Sequence, residues 1–431
     1  MSNAKINNLK TPIVIIGLGK SGQSAHRLLE MQGYTAQELF LFDEKLPAQI
    51  NEWKQLQAMQ IGTLVVSPGV PLQSEHLLRL KNLGWNITSE ITLATQFITS
   101  EKIIGITGSV GKSTVTSLLG AALTTDDPNG FVGGNLGIPF CEYAISLLNG
   151  KPKAKWIALE LSSYQLENCV GLSLDHSAIT YLSVNHLERY TSVDEYYMTK
   201  CHIGDLTQGT CVLNRSSEDI LTYQSKINCK TILTNTQTFE NKSILKKIHL
   251  LGQHNKDNFC ISYTLAKLMS LSEKAITAMT EFKGLAHRIE FVGNYKNIIF
   301  INDSKATAMD SVLVAVHAAK ENLKGAGKLH LFIGGKDKNL PWHELANLNH
   351  DADIRIHYFG ACGELARTKM QNNVSPYYKT LNEALDKVFP QLVAYDVALL
   401  SPGGTSLDEF KNFEDRGNFF KNKVIEFTKK S

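Results

Sequence analysis

The sequence has little of what marks several large classes of protein. No stretch approaches the roughly 18 apolar residues that a membrane-spanning helix needs, so no membrane insertion is expected. Seven cysteines (Cys141, Cys169, Cys201, Cys211, Cys229, Cys260, Cys362) make an odd count with no C-x-x-C pair. That argues against a disulfide framework or a structural zinc site and fits a reducing compartment. Charge of one sign is also missing: 44 Lys and Arg face 41 Asp and Glu, a net +3. The lysines are scattered, with their densest spots at Lys246-Lys247 and Lys429-Lys430, so the basic stripe of a nucleic-acid binder is not there. Short-period repeats, low-complexity tracts and long Pro/Gly/Ser linkers are absent as well. Lys5 and Lys10 before the apolar run Pro12 to Ile16 resemble a short signal peptide, but the run breaks at Gly17 without a small-residue cleavage site and reads better as a first buried strand. A cytoplasmic globular protein is what these absences leave.

At 431 residues the chain is long enough for roughly three domains of about 150 residues each. Short apolar runs alternate with helical patterns throughout. Strands are expected at Pro12–Gly17, Glu38–Asp43, Thr63–Ser67, Lys102–Thr107, Lys155–Leu161, Ser177–Leu182, Thr210–Asn214, Asn297–Asn302, Lys328–Gly334, Ile354–Gly360 and Tyr395–Ser401. This is the βαβα signature of parallel sheets covered on both faces. The series restarts after Leu93–Ser100 and again after Glu281–Gly284, which divides the chain at 1–97, 98–283 and 284–431.

Gly108-Ser109-Val110-Gly111-Lys112-Ser113-Thr114 follows an apolar strand and opens a helix. Glycines there let backbone N–H groups close around phosphate oxygens, Lys112 neutralises terminal-phosphate charge, and the Ser113 hydroxyl suits Mg²⁺. Gly17-Leu18-Gly19-Lys20-Ser21-Gly22 has the same strand–turn–helix setting, with Asp43 ending the next strand and Ser67-Pro68-Gly69 the one after. Taken alone it fits a nicotinamide dinucleotide, but its geometry suits any nucleotide diphosphate. Glu160 terminates an apolar run in the domain of the phosphate loop, a place from which a carboxylate can hold Mg²⁺. Glu167, deeper in the following polar segment, reads as a surface charge. His186 is expected at the mouth of the same sheet, with Lys200 fourteen residues on. Toward the C-terminus, Arg288, Lys305 and Lys338 lie near strand ends or loops, where three cationic clusters suit phosphate or an anionic substrate.

These motifs resemble those of the Mur ligases. The TGSVGKS loop and the HRIE segment are general to that family. Gly133–Gly137, ELSSYQLE, GQHNKDN (Gly252–Asn258), INDSKAT and the tail Ser406–Gly417 look specific to its D-glutamate-adding members. The resemblance covers essentially the whole chain. It implies a three-domain α/β protein: a Rossmann-like N-terminal domain for the UDP precursor, a P-loop ATPase-like central domain with a parallel sheet for ATP and Mg²⁺, and a Rossmann-like C-terminal domain for the amino acid. It also implies an ADP-forming ligase, a monomer acting on small molecules only, that joins D-glutamate to UDP-N-acetylmuramoyl-L-alanine through an acyl phosphate during peptidoglycan precursor synthesis.

Carried onto this sequence, Gly108, Ser109, Val110, Gly111, Lys112, Ser113 and Thr114 would hold ATP, together with Asn255, Asn258, Arg288 and Asp303. Ser113, Glu160, His186 and a carbamylated Lys200 would hold the metal. Lys20, Ser21, Asp43, Glu44, Gly69, Asn135, Ser162 and Gln165 would meet the UDP precursor. His186, Lys305, Thr307, Lys338, Ser406 and Phe413 would meet D-glutamate, and the catalytic set would be Lys112, Glu160, His186, Lys200 and Lys305. The chain departs from the family pattern at Val110, Tyr181, Asn185, Ala308 and Gly403-Gly404-Thr405. Asn185 removes a carboxylate from beside the expected metal site. Three alternatives stay open at this point: a Mur-type ligase for another amino acid, a nicotinamide-dependent oxidoreductase built on Gly17–Gly22, and a non-catalytic UDP-sugar-binding protein.

Overall fold

The computed structural model describes residues 6, 9–135, 137–184 and 189–430. Among them the strands form three sheets. The first contains β1 (Ile13–Ile16), β2 (Leu39–Phe42), β3 (Thr63–Val66) and β4 (Asn86–Thr88), all parallel in the order β2-β1-β3-β4. The second contains β5 (Lys102–Thr107), β6 (Phe131–Gly134), β7 (Trp156–Glu160), β8 (Leu174–Ile179), β9 (Thr207–Asn214) and β10 (Lys230–Thr234), again all parallel, in the order β10-β9-β8-β5-β7-β6. The third contains β11 (Glu290–Tyr295), β12 (Ile298–Asn302), β13 (Leu329–Gly334), β14 (Ile354–Phe359), β15 (Tyr377–Tyr378) and β16 (Val397–Gly403), in the order β11-β12-β16-β13-β14-β15.

The chain divides into two compact units. One is Met1–Lys246 with Asp257–Thr280, and the other is Lys247–Lys256 with Glu281–Ser431. The first and second sheets share the first unit, so the expected division at 97/98 falls between two sheets of one unit. The division at 283/284 falls three residues beyond Thr280.

Sequence dictates which strands are central. β1, β3, β7 and β16 are buried at every position, as continuous apolar runs must be when helices cover both faces of a parallel sheet. Five strands were not anticipated. β4, β6 and β15 are short and β10 is a half-buried edge, so none carries a long apolar run. β11 pairs antiparallel with β12, an exception to the all-parallel expectation; being a polar edge strand, it lacks the apolar signal that marks its neighbours. The helix Phe413–Lys430 was not anticipated either.

Within the first unit the two sheets are joined by specific polar contacts. Glu142, in the helix Cys141–Leu148, accepts from Ser24 Oγ at 2.6 Å and pairs with Arg27, both in the helix Lys20–Met31. Glu90 is fully buried and accepts from the Cys141 backbone N–H; burial pushes its carboxyl up to about 7. No helix among the described residues is long and apolar enough to cross a membrane.

Candidate active site

β5 runs straight into the phosphate-loop segment, and the loop's shape follows from its two glycines. Gly108 has φ +144°, and a Cβ on it would fall 2.2 Å from Thr180 Oγ1. Gly111 caps the helix Lys112–Asp126 with φ +91°, where a Cβ would fall 2.5 Å from Asn258 Oδ1. Only glycine fits either place. Around the loop, the Thr180 hydroxyl donates to the Val110 carbonyl, Ser109 N donates to Tyr181 O at 2.6 Å, and Tyr196 OH bonds Ser109 Oγ at 3.1 Å. Thr180 and Tyr196 therefore shape the loop. Sequence reasoning missed both, because neither belongs to a recognisable motif.

Two ammonium groups converge on one carbonyl. Lys112 Nζ donates to Gly108 O at 2.7 Å and to Ser109 O at 3.2 Å, while Lys200 Nζ donates to the same Gly108 O at 3.0 Å. Lys200 is 1% exposed and lies over the Tyr196 ring at 4.6 Å. Burial, and then the Lys112 charge, hold its pKa well below the usual lysine range, against an opposing pull from Glu160. Ser113 is buried in the first turn of the helix. This concentration of N–H groups and cations at a helix N-terminus is suited to polyphosphate.

Glu160 ends β7, on the neighbouring strand. One of its oxygens, Oε1, accepts from Asn135 Nδ2 at 2.7 Å, and Asn135 N is fixed to Glu160 O at 2.8 Å. The other, Oε2, is buried with no hydrogen-bond partner among the described residues. A buried carboxylate oxygen left bare is costly, and a divalent cation would satisfy it; the donor set of Glu160 and Ser113 oxygens is the hard kind that Mg²⁺ prefers. His186 and Asn185 lie outside the described residues. Among the described residues no group of three His, Cys, Asp or Glu side chains is placed to hold a metal.

Asn135, which the resemblance places against the UDP precursor, faces Glu160. Ser162 and Gln165 form a capping box on the helix Ser163–Leu166. Gln165 also lines a cleft between the first and second sheets, with Ser67, Pro68, Glu90, Tyr164 and Arg189. Glu167 is not the surface charge expected. It is bound at both oxygens by Arg189, at 2.6 and 3.2 Å, and receives Tyr190 OH at 2.6 Å. Arg189 also lies 4.0 Å from the Tyr164 ring centre and donates to Pro68 O at 2.9 Å, linking the wall of this cleft to the first sheet.

The second glycine-rich loop has a different character. Asp43 accepts from Leu18 N at 2.9 Å, Lys45 N at 2.9 Å and Leu46 N at 3.0 Å. The Leu18 bond, with those of Lys45 and Leu46, outweighs partial burial and holds its carboxyl below the usual range. The carboxylate that a dinucleotide reading needs for a ribose hydroxyl is thus engaged by the loop itself. Lys20 and Ser21 open the helix beside it, and Glu44 and Gly69 are exposed.

In the second unit the predicted residues sit on loops after β12, β13 and β16. Asp303 is buried, accepting from Ser401 Oγ at 2.8 Å and Ile289 N at 3.1 Å, and burial pushes its carboxyl up to about 7. Lys305 Nζ lies over the Phe413 ring at 4.9 Å, so two of the expected amino-acid contacts are brought together. Thr307 is half-buried, Ser406 buried, and Lys338 and Arg288 exposed. Asn255 donates to Leu251 O at 2.8 Å; Asn258, in the first unit, lies against Gly111 as described.

Parallel sheets with a strand–glycine loop–helix turn that carries Lys112, met by Lys200 from the helix Val193–Cys201, define a P-loop type of α/β protein. Residues 106–266 match the Mur ligase middle domain. The chain is 30% identical to the UDP-N-acetylmuramoylalanine--D-glutamate ligase of Buchnera aphidicola subsp. Acyrthosiphon pisum (strain Tuc7), over 96% of this chain and 98% of that protein. It is 32% identical to the protein of the same name from Haemophilus influenzae (strain 86-028NP), over 95% and 96%. The chain belongs to the Mur ligase family. In fold it is similar to the MurF ligase of Thermotoga maritima in complex with ADP, with a TM-score of 0.60 at 13% identity over 99% of this chain and 97% of that one. MurC from the same organism gives 0.56 at 15% identity, over 98% and 100%.

Proposed function

We propose that this protein is an ADP-forming ligase that joins the amine of D-glutamate to the free carboxylate of UDP-N-acetylmuramoyl-L-alanine, with ATP, in cytoplasmic peptidoglycan precursor synthesis. The observation that carries the reading is similarity over nearly the full length to ligases of that name, supported by a phosphate loop with two lysines beside a bare carboxylate oxygen. A carboxylate does not react with an amine until it has a leaving group. Transfer of the ATP γ-phosphate to it gives an acyl phosphate, which the amine attacks with loss of phosphate.

In this reading Gly108–Thr114 hold ATP, and Lys112 moves its donors from the Gly108 and Ser109 carbonyls to the transferred phosphate, where charge develops. Asn255, Asn258, Arg288 and Asp303 contact the nucleotide. Ser113 and Glu160, with His186 and Lys200, would hold a divalent ion, Mg²⁺, whose chemistry would be to neutralise phosphate charge; Asn135 keeps one Glu160 oxygen occupied and leaves the other open. Burial beside Lys112 favours the neutral Lys200 amine, the form that adds CO₂ and releases a proton to become a carbamate with oxygen donors. Lys20, Ser21, Asp43, Glu44, Gly69, Asn135, Ser162 and Gln165 receive the UDP precursor. His186, Lys305, Thr307, Lys338, Ser406 and Phe413 receive D-glutamate, and the active species is a monomer. The test is phosphate release from ATP with the UDP precursor and a panel of amino acids. Release with D-glutamate alone is expected, and release with a different amino acid instead would reassign the substrate.

A further inference from the structure

Arg416 is the largest charged side chain in the protein to be completely buried, at 0% exposure. It lies in the first turn of the helix Phe413–Lys430, where the helix dipole disfavours a cation. Both features are costly, since a buried charge loses its hydration. Its partners show what it does there. Nε bonds Ser304 Oγ at 3.0 Å, Nη2 bonds Ser304 O at 2.9 Å and Nη1 bonds Gly404 O at 3.1 Å. Ser304 Oγ in turn donates to Phe413 O at 2.8 Å. A Cβ on Gly335 would fall 2.8 Å from Nη1, and Lys336 exchanges both backbone bonds with Thr405, at 2.8 and 2.9 Å. One guanidinium therefore sits beneath the crossing of three loops, those carrying Lys305 and Thr307, Lys338, and Ser406, and beneath the helix start that carries Phe413.

Every acceptor it uses is neutral. Among the described residues Arg416 makes no ion pair; the nearby carboxylates of Asp408, Glu409 and Asp303 are engaged by Ala361 N, Leu381 N, and Ser401 Oγ with Ile289 N. These carboxylates oppose its charge, so what Arg416 gives the loops is its three fixed hydrogen bonds.

We infer that Arg416 is a positioning residue for the amino-acid pocket: by locking its three loops in register it holds the cations they carry, Lys305 and Lys338, where an acidic amino acid is preferred to a neutral one. This rests on the function proposed above and extends it to a residue that touches no substrate. A planar fork fixed at three points resists the loop shifts that a flexible ammonium would allow.

The experiment is steady-state kinetics of purified wild type, Arg416→Gln, Arg416→Lys and Ser304→Ala, each checked by thermal melting, with KM measured separately for ATP, the UDP precursor and D-glutamate, and with D-glutamine as the neutral competitor substrate. Arg416→Gln should raise the D-glutamate KM by about tenfold or more, the equivalent of losing one charge-assisted hydrogen bond, and weaken discrimination against D-glutamine, with the ATP KM unchanged. Arg416→Lys should show both effects in smaller measure, because an ammonium cannot hold all three points of the fork. Should Arg416→Gln fail to fold, Ser304→Ala carries the test, with an expected rise of about fivefold in the D-glutamate KM alone. A folded variant with unchanged D-glutamate KM and discrimination, or with all three KM values raised alike, overturns the inference. Wild type that releases no phosphate in response to D-glutamate overturns the functional reading instead.

Discussion

Two strand–glycine loop–helix turns lie in the same compact unit, and they differ in what surrounds them. At Gly17–Gly22 the Asp43 carboxylate accepts from one loop N–H, that of Leu18, and from Lys45 N and Leu46 N of its own following turn, and Ser67 Oγ donates to Gly17 O at 2.7 Å. At Gly108–Gly111 two lysines share one carbonyl, and a carboxylate oxygen on the adjoining strand has no hydrogen-bond partner among the described residues. The glycines supply the same backbone geometry in both places. On the function proposed above, the lysines and the carboxylate beside the second loop make it the place for phosphate chemistry, and the first serves as a binding turn.

The most severe way to break this contrast is Lys112→Ala. Loss of a cation aimed at transferred phosphate should lower turnover by about 10²–10³-fold while leaving the melting temperature nearly unchanged. Asp43→Ala, the matching change in the other loop, should raise the KM for the UDP precursor and leave kcat in place; a collapse of kcat there would erase the distinction. Asn135→Ala frees the second Glu160 oxygen and should weaken apparent divalent-metal affinity by about tenfold, as loss of an orienting partner does, read from Mg²⁺ titration of the rate. Gly111→Ala forces a Cβ into Asn258 and a left-handed φ on a non-glycine residue, a cost of about 1–2 kcal/mol, measurable by urea unfolding.

The smallest effect concerns pH. Glu90 has its folded-state carboxyl raised from 4.5 to about 7 by burial. A group raised on folding contributes stability that is full below its unfolded value and is lost as pH rises through the folded one. Stability should therefore fall between about pH 4.5 and 7, and Glu90→Gln should flatten that slope in urea unfolding at pH 5 and pH 8.

Much of this was legible in the sequence because it follows from local pattern. The apolar runs of β1, β5, β7 and β16 and the glycines of both loops are signals that need no tertiary context, and Glu160 stands out by ending such a run. What was not legible depends on partners far along the chain. Glu167 reads as a surface charge until Arg189 and Tyr190 fold against it, the bond between Asn135 and Glu160 joins residues 25 apart in the chain, and Arg416 stands out only once Ser304 and Gly404 surround it. Edge strands such as β10 and β11 were missed for a related reason: half-exposed strands carry too few apolar residues to announce themselves.

The measurement that tests the central claim most directly is D-glutamate-dependent phosphate release from ATP in the presence of UDP-N-acetylmuramoyl-L-alanine, run on wild type and Lys112→Ala side by side. The account predicts release by wild type that requires all three substrates and is nearly abolished in the variant. Release that persists undiminished in Lys112→Ala, or that does not depend on D-glutamate, would contradict it.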